Sequence, residues 1–238
     1  MLIHSRRANW GIGGLLAIVV LALAACGTST LPPPPTSTLL TKASTTFNAD
    51  TSLHLTYTAN NIAPGITAVT SASGDLVRPD KISITGVVEP VKNLSASIGL
   101  IIIGQDQFLN ISGSWSKTSA FGSLLHIFDT DQGIGGIITK LQSPSKVTAE
   151  NVKIDSSHSV ACWKVSGTTT AGLLAPITQG SPTDTTPLQT TLWIGQSDNQ
   201  VYKVDLVGMA ITGDSAATDR TFVLSKFGEK VTITAPAV

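Results

Sequence analysis

The chain has 238 residues, which is enough for one large domain or two small ones with a core that needs no disulfide bonds. Basic and acidic residues number 15 each, and charged residues make up only 13% of the chain, against a usual share of ~25%. Because no basic excess exists to meet phosphates, the composition argues against nucleic acid as a partner.

The first 25 residues predict a signal peptide for export. Arg6 and Arg7 precede an apolar run over 12–25, and the order of basic, apolar and small residues is typical of such peptides. The run ends in Leu23-Ala24-Ala25-Cys26, which resembles the lipobox of bacterial lipoproteins. That resemblance implies that residues 1–25 are removed and that the Cys26 thiol carries a diacylglycerol. A membrane-spanning helix is the alternative, but it needs roughly 20 apolar residues and this run is shorter.

We therefore expect an exported protein that acyl groups on Cys26 anchor to the outer face of the cell membrane, with no other cofactor. The mature part keeps 13 basic and 15 acidic residues, a net charge of −2, because the signal carries two of the basic residues and no acid. Residues 26–36 predict a linker, and its four prolines favour an extended polyproline segment. The single domain then spans 37–238. Since Cys26 takes the lipid, Cys162 has no disulfide partner and is expected to be a buried apolar residue.

The first half of the domain predicts one helix and then an antiparallel meander. Ser37 or Thr38 is the predicted cap of a helix whose apolar residues follow at helical spacing. The period then changes to two, which is typical of half-buried strands. The predicted strands cover about 53–60, 66–73, 82–88, 94–103 and 108–111, and Gly74-Asp75 is interpreted as a break after the second of them.

The second half predicts further helices and strands. Residues 115–131 are interpreted as a loop with short helical pieces, and residues 171–177 as a short helix. A stripe at i, i+3, i+4 and i+7 predicts an amphipathic helix over 134–141. Predicted strands follow at about 152–154, 160–165, 188–194, 201–207, 221–225 and 231–234. About ten strands with helices inserted in two places indicate an α+β fold, with the helices on one face of a strongly curved antiparallel sheet.

The sequence shows no catalytic or metal-binding pattern. The histidines are His4, His54, His126 and His158. None is spaced as a metal-ligand pair, and no Gly-x-Ser-x-Gly motif exists. His54 falls on the predicted solvent face of a strand and is interpreted as a surface histidine. Residues 129–131 resemble the start of a calcium loop, but Gly133 and Lys140 stand where ligands are required. We therefore expect neither a metal nor catalysis.

Three segments in order behind the lipobox carry a family resemblance: Ser73-Gly74-Asp75-Leu76, Thr191-Leu192-Trp193-Ile194 and residues 221–231. Together they resemble the mycobacterial LppX/LprA/LprF/LprG lipoproteins over essentially the whole mature chain, although the region before Ile134 is shorter than in that family. The resemblance implies a U-shaped antiparallel half-barrel with helices packed on its concave face. It also implies a cavity between sheet and helices that holds the acyl chains of envelope lipids.

The resemblance places Ile82 and Ile84 on the wall of that cavity. The apolar pattern adds positions on the fourth strand and on the predicted helix: Leu94, Ala96, Ile98, Ile134, Ile137, Ile138 and Leu141. The same aliphatic residues also fit an ordinary packed core.

We thus predict a carrier of lipid or glycolipid that makes and breaks no bond, with the membrane and an envelope transporter as partners. The alternative is an anchored accessory module of an envelope transport system that has no ligand of its own. A hydrolase is disfavoured, because no nucleophile in the sequence has a recognisable base.

Overall fold

The computed structural model describes residues 32–91, 94–178 and 185–238, apart from the side chains of Pro90 and Val91. The predicted signal peptide, Cys26 and most of the predicted linker lie outside the described residues. Pro35, at the end of the linker, has φ −54° and ψ 135°, close to polyproline geometry. In the described part of the chain, no helix is both long and apolar enough to cross a bilayer.

The helices are α1 (Thr36–Ala49), α2 (Gly133–Thr139) and α3 (Ala175–Thr178), with 3₁₀ helices at Gly122–Phe128 and Ala171–Leu174. Helix α1 buries Leu39, Ala43 and Phe47, as its spacing predicts. It begins directly after Pro35 and has no side-chain cap, so the predicted cap at Ser37 or Thr38 is wrong. Pro35 is itself the N-cap residue: its backbone is extended, and its carbonyl accepts the first helical hydrogen bond, from Leu39, at 3.0 Å.

The described residues form eleven strands in one antiparallel sheet. They are β1 (Ser52–Asn60), β2 (Ala68–Val77), β3 (Lys81–Val91), β4 (Leu94–Ile103), β5 (Asp106–Ile111), β6 (Ser114–Thr118), β7 (Thr148–Lys153), β8 (Ser159–Thr170), β9 (Pro187–Gly195), β10 (Val201–Val207) and β11 (Asp219–Ser225). The order across the sheet is β6-β5-β4-β3-β2-β1-β11-β10-β9-β8-β7, so two meanders join where β1 pairs with β11.

The connection from β6 to β7 explains why the helices lie on one face. These two strands form opposite edges of the sheet, so the chain between them must pass across a whole face. That connection contains the first 3₁₀ helix and α2, and α2 packs against α1. The sheet is curved and does not close, which confirms the predicted curved antiparallel sheet with helices on its concave face.

Three strand predictions differ from the structure. Strand β2 runs through Gly74, because a Cβ there would overlap the Ser83 carbonyl and Ile84 on β3; the glycine permits close strand approach instead of marking a turn. Strand β6 is an edge strand with so little apolar alternation that its sequence predicts loop instead. Residues 231–234 form no strand, because β11 already has β1 on one side and β10 on the other.

Arg78 ties the helices to the end of β2. Its guanidinium lies 4.3 Å from the ring centroid of Phe128, at the end of the first 3₁₀ helix. It also donates to the carbonyl of Phe47 at 3.1 Å, in the last turn of α1, and to that of Phe128 at 3.4 Å. A cation at the carboxyl ends of two helices complements their exposed carbonyls. Arg78 therefore holds α1 and the 3₁₀ helix over one end of the sheet.

A small second cluster lies on the outer face of the sheet. Val152, Cys162 and Trp193 are buried there, with Tyr202 packed against them. Cys162 is a free cysteine with no exposed surface, which confirms its predicted burial. Burial raises the pKa of its thiol to about 12. Tyr202 donates to Asp198 at 2.8 Å, away from the concave face.

Candidate functional site

A cavity of about 370 Å³ separates part of the concave face from the helices. This volume falls at the lower end of the range of about 300–1,000 Å³ that is usual for ligand pockets. The sheet side is formed mainly by apolar side chains of six strands: Leu55, Ala72, Ile84, Ile98, Leu100, Leu109 and Phe222. The opposite side is formed by the two 3₁₀ helices, their flanks and α3: Phe121, Leu124, Ile127, Leu174 and Ile177.

Two rows of residues that run across β1 to β4 show how the cavity arises. The packed row consists of Leu53, Leu76, Ile82 and Ile102, which are direct cross-strand neighbours on the concave face. All four are at most 1% exposed, and they share a core cluster with the buried residues of α1. Four large side chains under a helix leave no free volume.

The cavity row lies further along the same four strands and consists of Tyr57, Ala72, Gly86 and Ile98. All four line the cavity. Its two central members are the smallest residues available, so the middle of the row projects little into the space below the helices. The short 3₁₀ helices and α3 close over that space without filling it. The cavity therefore exists because the residues on β2 and β3 are small and the helices opposite them do not pack down onto the sheet.

Two of the predicted wall residues lie on the wall. Ile84 of β3 and Ile98 of β4 both line the cavity and are partly exposed to it. Ile84 pairs with Leu100, and Ile98 lies two residues before Leu100 on β4. Both side chains therefore point to the concave face. Whether these residues contact a ligand stays a prediction.

The predicted helix stripe lies elsewhere. Ile134, Ile137 and Ile138 are at most 2% exposed and Leu141 is 9% exposed; all four belong to the core and none lines the cavity. The glycines of α2 explain the tight packing, because a Cβ on Gly135 would overlap the Asp129 carbonyl. These glycines weaken an isolated helix but permit its close approach to neighbours.

Three further predicted positions also lie off the wall. Ile82 belongs to the packed row, two residues from Ile84 on the same strand. Leu94 is 57% exposed and Ala96 is partly exposed, at the end of β4 that reaches beyond the cavity. The alternation of apolar and polar residues correctly predicts that these side chains lie on the concave face. However, only the middle of each strand borders the cavity.

The sequence does not predict the roof, which is the side of the cavity opposite the sheet. Its residues Phe121, Leu124 and Ile127 come from a segment whose sequence predicts loop with short helical pieces. A 3₁₀ helix of 7 residues is too short to show a periodic apolar stripe. The apolar residues Leu124, Leu125 and Phe128 predict short helical pieces in this segment, but their spacing does not indicate what they face.

A charged group lies on the otherwise mainly apolar wall. Among the described residues that line the cavity, Arg220 of β11 alone is charged, and it is 5% exposed. Its Nη2 lies 2.8 Å from Oδ2 of Asp214, a fully buried carboxylate in the loop between β10 and β11. The same oxygen accepts hydrogen bonds from the backbone N–H groups of Ala210 and Ile211 at 2.9 and 3.0 Å. Tyr57 of β1 is the diagonal cross-strand neighbour of Arg220, and burial is the main cause that raises the pKa of its hydroxyl.

On the outer face, His54 is bonded on both ring nitrogens. Its Nδ1 lies 2.6 Å from Asp75 and its Nε2 lies 3.0 Å from the hydroxyl of Ser73, so the sheet register supplies a base that the sequence did not show. Serine, histidine and aspartate stand in the order of a catalytic triad. However, β2 is paired on both sides at Ser73, which directs its backbone N–H groups into the ladders and leaves no backbone oxyanion hole. The expected lack of catalysis stays a prediction.

Comparison with known proteins places this fold. The structure of LprF from Mycobacterium bovis is 21% identical, with a TM-score of 0.65, and covers 87% of this chain and 99% of its own. The structure of the lipoprotein LppX from Mycobacterium tuberculosis is 16% identical, with a TM-score of 0.54, and covers 83% of this chain and 99% of its own. At these identities the likeness shows a shared fold.

The comparison with curated proteins gave no match. The family model of the LppX_LprAFG lipoproteins, in contrast, matches residues 35–233, which is well over half of the chain and includes every described strand and helix. The chain therefore belongs to the LppX_LprAFG lipoprotein family.

Proposed function

We propose that this protein is an exported lipoprotein, anchored to the outer face of the cell membrane, that binds the acyl chain of a lipid or glycolipid in its cavity and carries it. The observation that supports this most is the apolar lining of a cavity that lies between sheet and helices. A packed core would have left no such space, and a purely structural module has no need of one.

The energetics of this role rest on apolar burial. Each buried methylene contributes about 0.8 kcal/mol, so about ten of them contribute about 8 kcal/mol. Part of that free energy is lost because the acyl chain of the ligand becomes ordered on binding. No bond is made or broken in the cavity, and release requires only that the acyl chain leave the apolar wall.

The membrane and an envelope transporter complete the proposal as partners. Lipid groups on Cys26 would hold the protein at the membrane, since two acyl chains anchor firmly where one does not. Helix α1 begins 10 residues after Cys26, so the domain would stand close to the bilayer from which it takes its ligand. A transporter in the same envelope would receive or supply the cargo.

The proposal is tested on Pro33–Val238, a compact unit whose core lies entirely within it and which lacks Cys26. Native mass spectrometry before and after solvent extraction should show adducts of lipid mass that extraction removes. Absence of adducts, combined with no uptake of added acyl lipids, would favour an anchored interaction module without a ligand.

A further inference from the structure

We infer that the cavity holds its ligand by a carboxyl-derived oxygen, the carbonyl of an acyl ester or acid, which accepts hydrogen bonds from Arg220 and Tyr57. This inference rests on the proposed function and specifies its ligand. It would make one part of the cavity selective for a chemical group, whereas the rest of the wall is mainly apolar and selects for hydrocarbon.

The two residues meet because β1 and β11 pair. Tyr57 lies opposite Phe222, and their ring centroids are 5.0 Å apart. Arg220 is two residues before Phe222 on the same face, between Ala59 and Leu206 on the neighbouring strands. Tyr57 and Arg220 are therefore diagonal neighbours on the cavity wall.

The ion pair with Asp214 leaves part of the guanidinium available. Both oxygens of Asp214 contact the same nitrogen, Nη2 of Arg220, at 2.8 and 3.0 Å. A guanidinium carries five N–H donors in a fixed fork, so the donors on Nε and Nη1 lie outside this ion pair. A ligand oxygen in the cavity would accept hydrogen bonds from these donors.

The charge balance indicates which oxygen fits. Arg220 and Asp214 together are neutral, and the other residues known to line the cavity carry no charge. A phosphate would bring up to two negative charges into an apolar site with no free cation, which is unfavourable. A carbonyl or a single carboxyl group needs only the donors that Arg220 and Tyr57 present.

A purely structural role of the ion pair between Arg220 and Asp214 predicts a different result. The ion pair also fixes the loop between β10 and β11, which contributes Ile211 to the wall. If it did only that, ligands with and without an oxygen would respond equally to changes at Tyr57 or Arg220. The readout that separates the two roles is therefore selectivity among ligands of equal chain length.

The experiment uses Pro33–Val238 with dodecanoic acid, methyl dodecanoate and dodecane as competitors that displace the fluorescent apolar dye N-phenyl-1-naphthylamine. In Tyr57→Phe, the acid and the ester should bind about three- to tenfold more weakly, because one hydrogen bond is lost, while dodecane should change less than about twofold. The acid and ester arms then distinguish a free fatty acid from an acyl ester as the preferred ligand.

The matched control is Tyr202→Phe. It removes the same hydroxyl from the outer face, where that group donates to Asp198 at 2.8 Å, and should leave all three affinities unchanged. A second variant, Arg220→Lys, keeps a cation beside Asp214 but loses the fork of donors. It should weaken the acid and the ester more than dodecane, with thermal melting to verify that it is folded.

Equal responses of the three competitors to Tyr57→Phe, or no response at all, would overturn the inference and leave the proposed function intact. If neither the dye nor any competitor binds the unmodified domain, the proposed function fails as well. The two failures are therefore distinguishable.

Discussion

The packed row and the cavity row lie on the same four strands and the same face, yet one is solid core and the other borders open space. In the packed row, Leu53, Leu76, Ile82 and Ile102 are all large and almost fully buried. In the cavity row, Ala72 and Gly86 are small, and the wall stays partly accessible. The difference teaches that alternation along a strand determines which face is apolar, but residue size and the overlying helix decide whether that face closes.

Truncating a large side chain should show the largest difference in stability between the packed row and the cavity wall. Ile102→Ala removes a large side chain from the packed row and should lower the free energy of unfolding by about 2–5 kcal/mol, because a buried void is left. Ile98→Ala, on the same strand but on the cavity wall, should cost about 1 kcal/mol or less, since its side chain already borders open space. Urea unfolding of both variants measures this. Equal losses would mean that the cavity is closed in solution.

Enlarging a side chain should also have different effects on the cavity wall and in the packed row. Ile84→Trp projects into the cavity, so it should remove most of the bound lipid while the free energy of unfolding changes by about 1 kcal/mol or less. Ile82→Trp, two residues away in the packed row, should cost about 1–3 kcal/mol through overpacking. Native mass spectrometry reports the lipid, and urea unfolding reports stability. Full lipid loading of folded Ile84→Trp would remove Ile84 from the proposed site.

The smallest effect is expected at the small residues. Ala72→Leu should fill part of the cavity, raise the free energy of unfolding by about 0.5–2 kcal/mol and reduce lipid uptake. Ala43→Leu makes the same change in α1, where the residue has no exposed surface, and should be destabilising instead. Thermal melting of both variants shows whether the two substitutions change stability in opposite directions. Destabilisation of both variants would show that the space beside Ala72 is unable to accept a side chain.

Much of the fold could be predicted because its signals are local. The helical spacing of Leu39, Ala43 and Phe47 and the alternation along β1 each depend on residues close together in the chain. Gly74 was misinterpreted because a glycine in a turn and a glycine that lets two strands approach look alike without the second strand. Strand β6 was missed because an edge strand needs no continuous apolar face.

The site was predicted less well than the fold. Ile84 and Ile98 lie on the wall, whereas the stripe from Ile134 to Leu141 belongs to the core. An amphipathic helix must bury its apolar stripe, but its sequence does not say whether the partner is tightly packed or separated by a space. Here the glycines of α2 permit tight packing, and the roof comes from short 3₁₀ turns with no periodic signal.

The sequence by itself determined the apolar face of nearly every strand, the first helix and a lipobox-like N-terminus, because these depend on neighbouring residues. Only the tertiary structure decided which part of that face is covered. It also brought Tyr57 of β1 beside Arg220 of β11, and Asp214 onto the same guanidinium. Those contacts depend on the pairing of the first and last strands, which joins residues far apart in the chain and leaves no periodic trace in the order of amino acids.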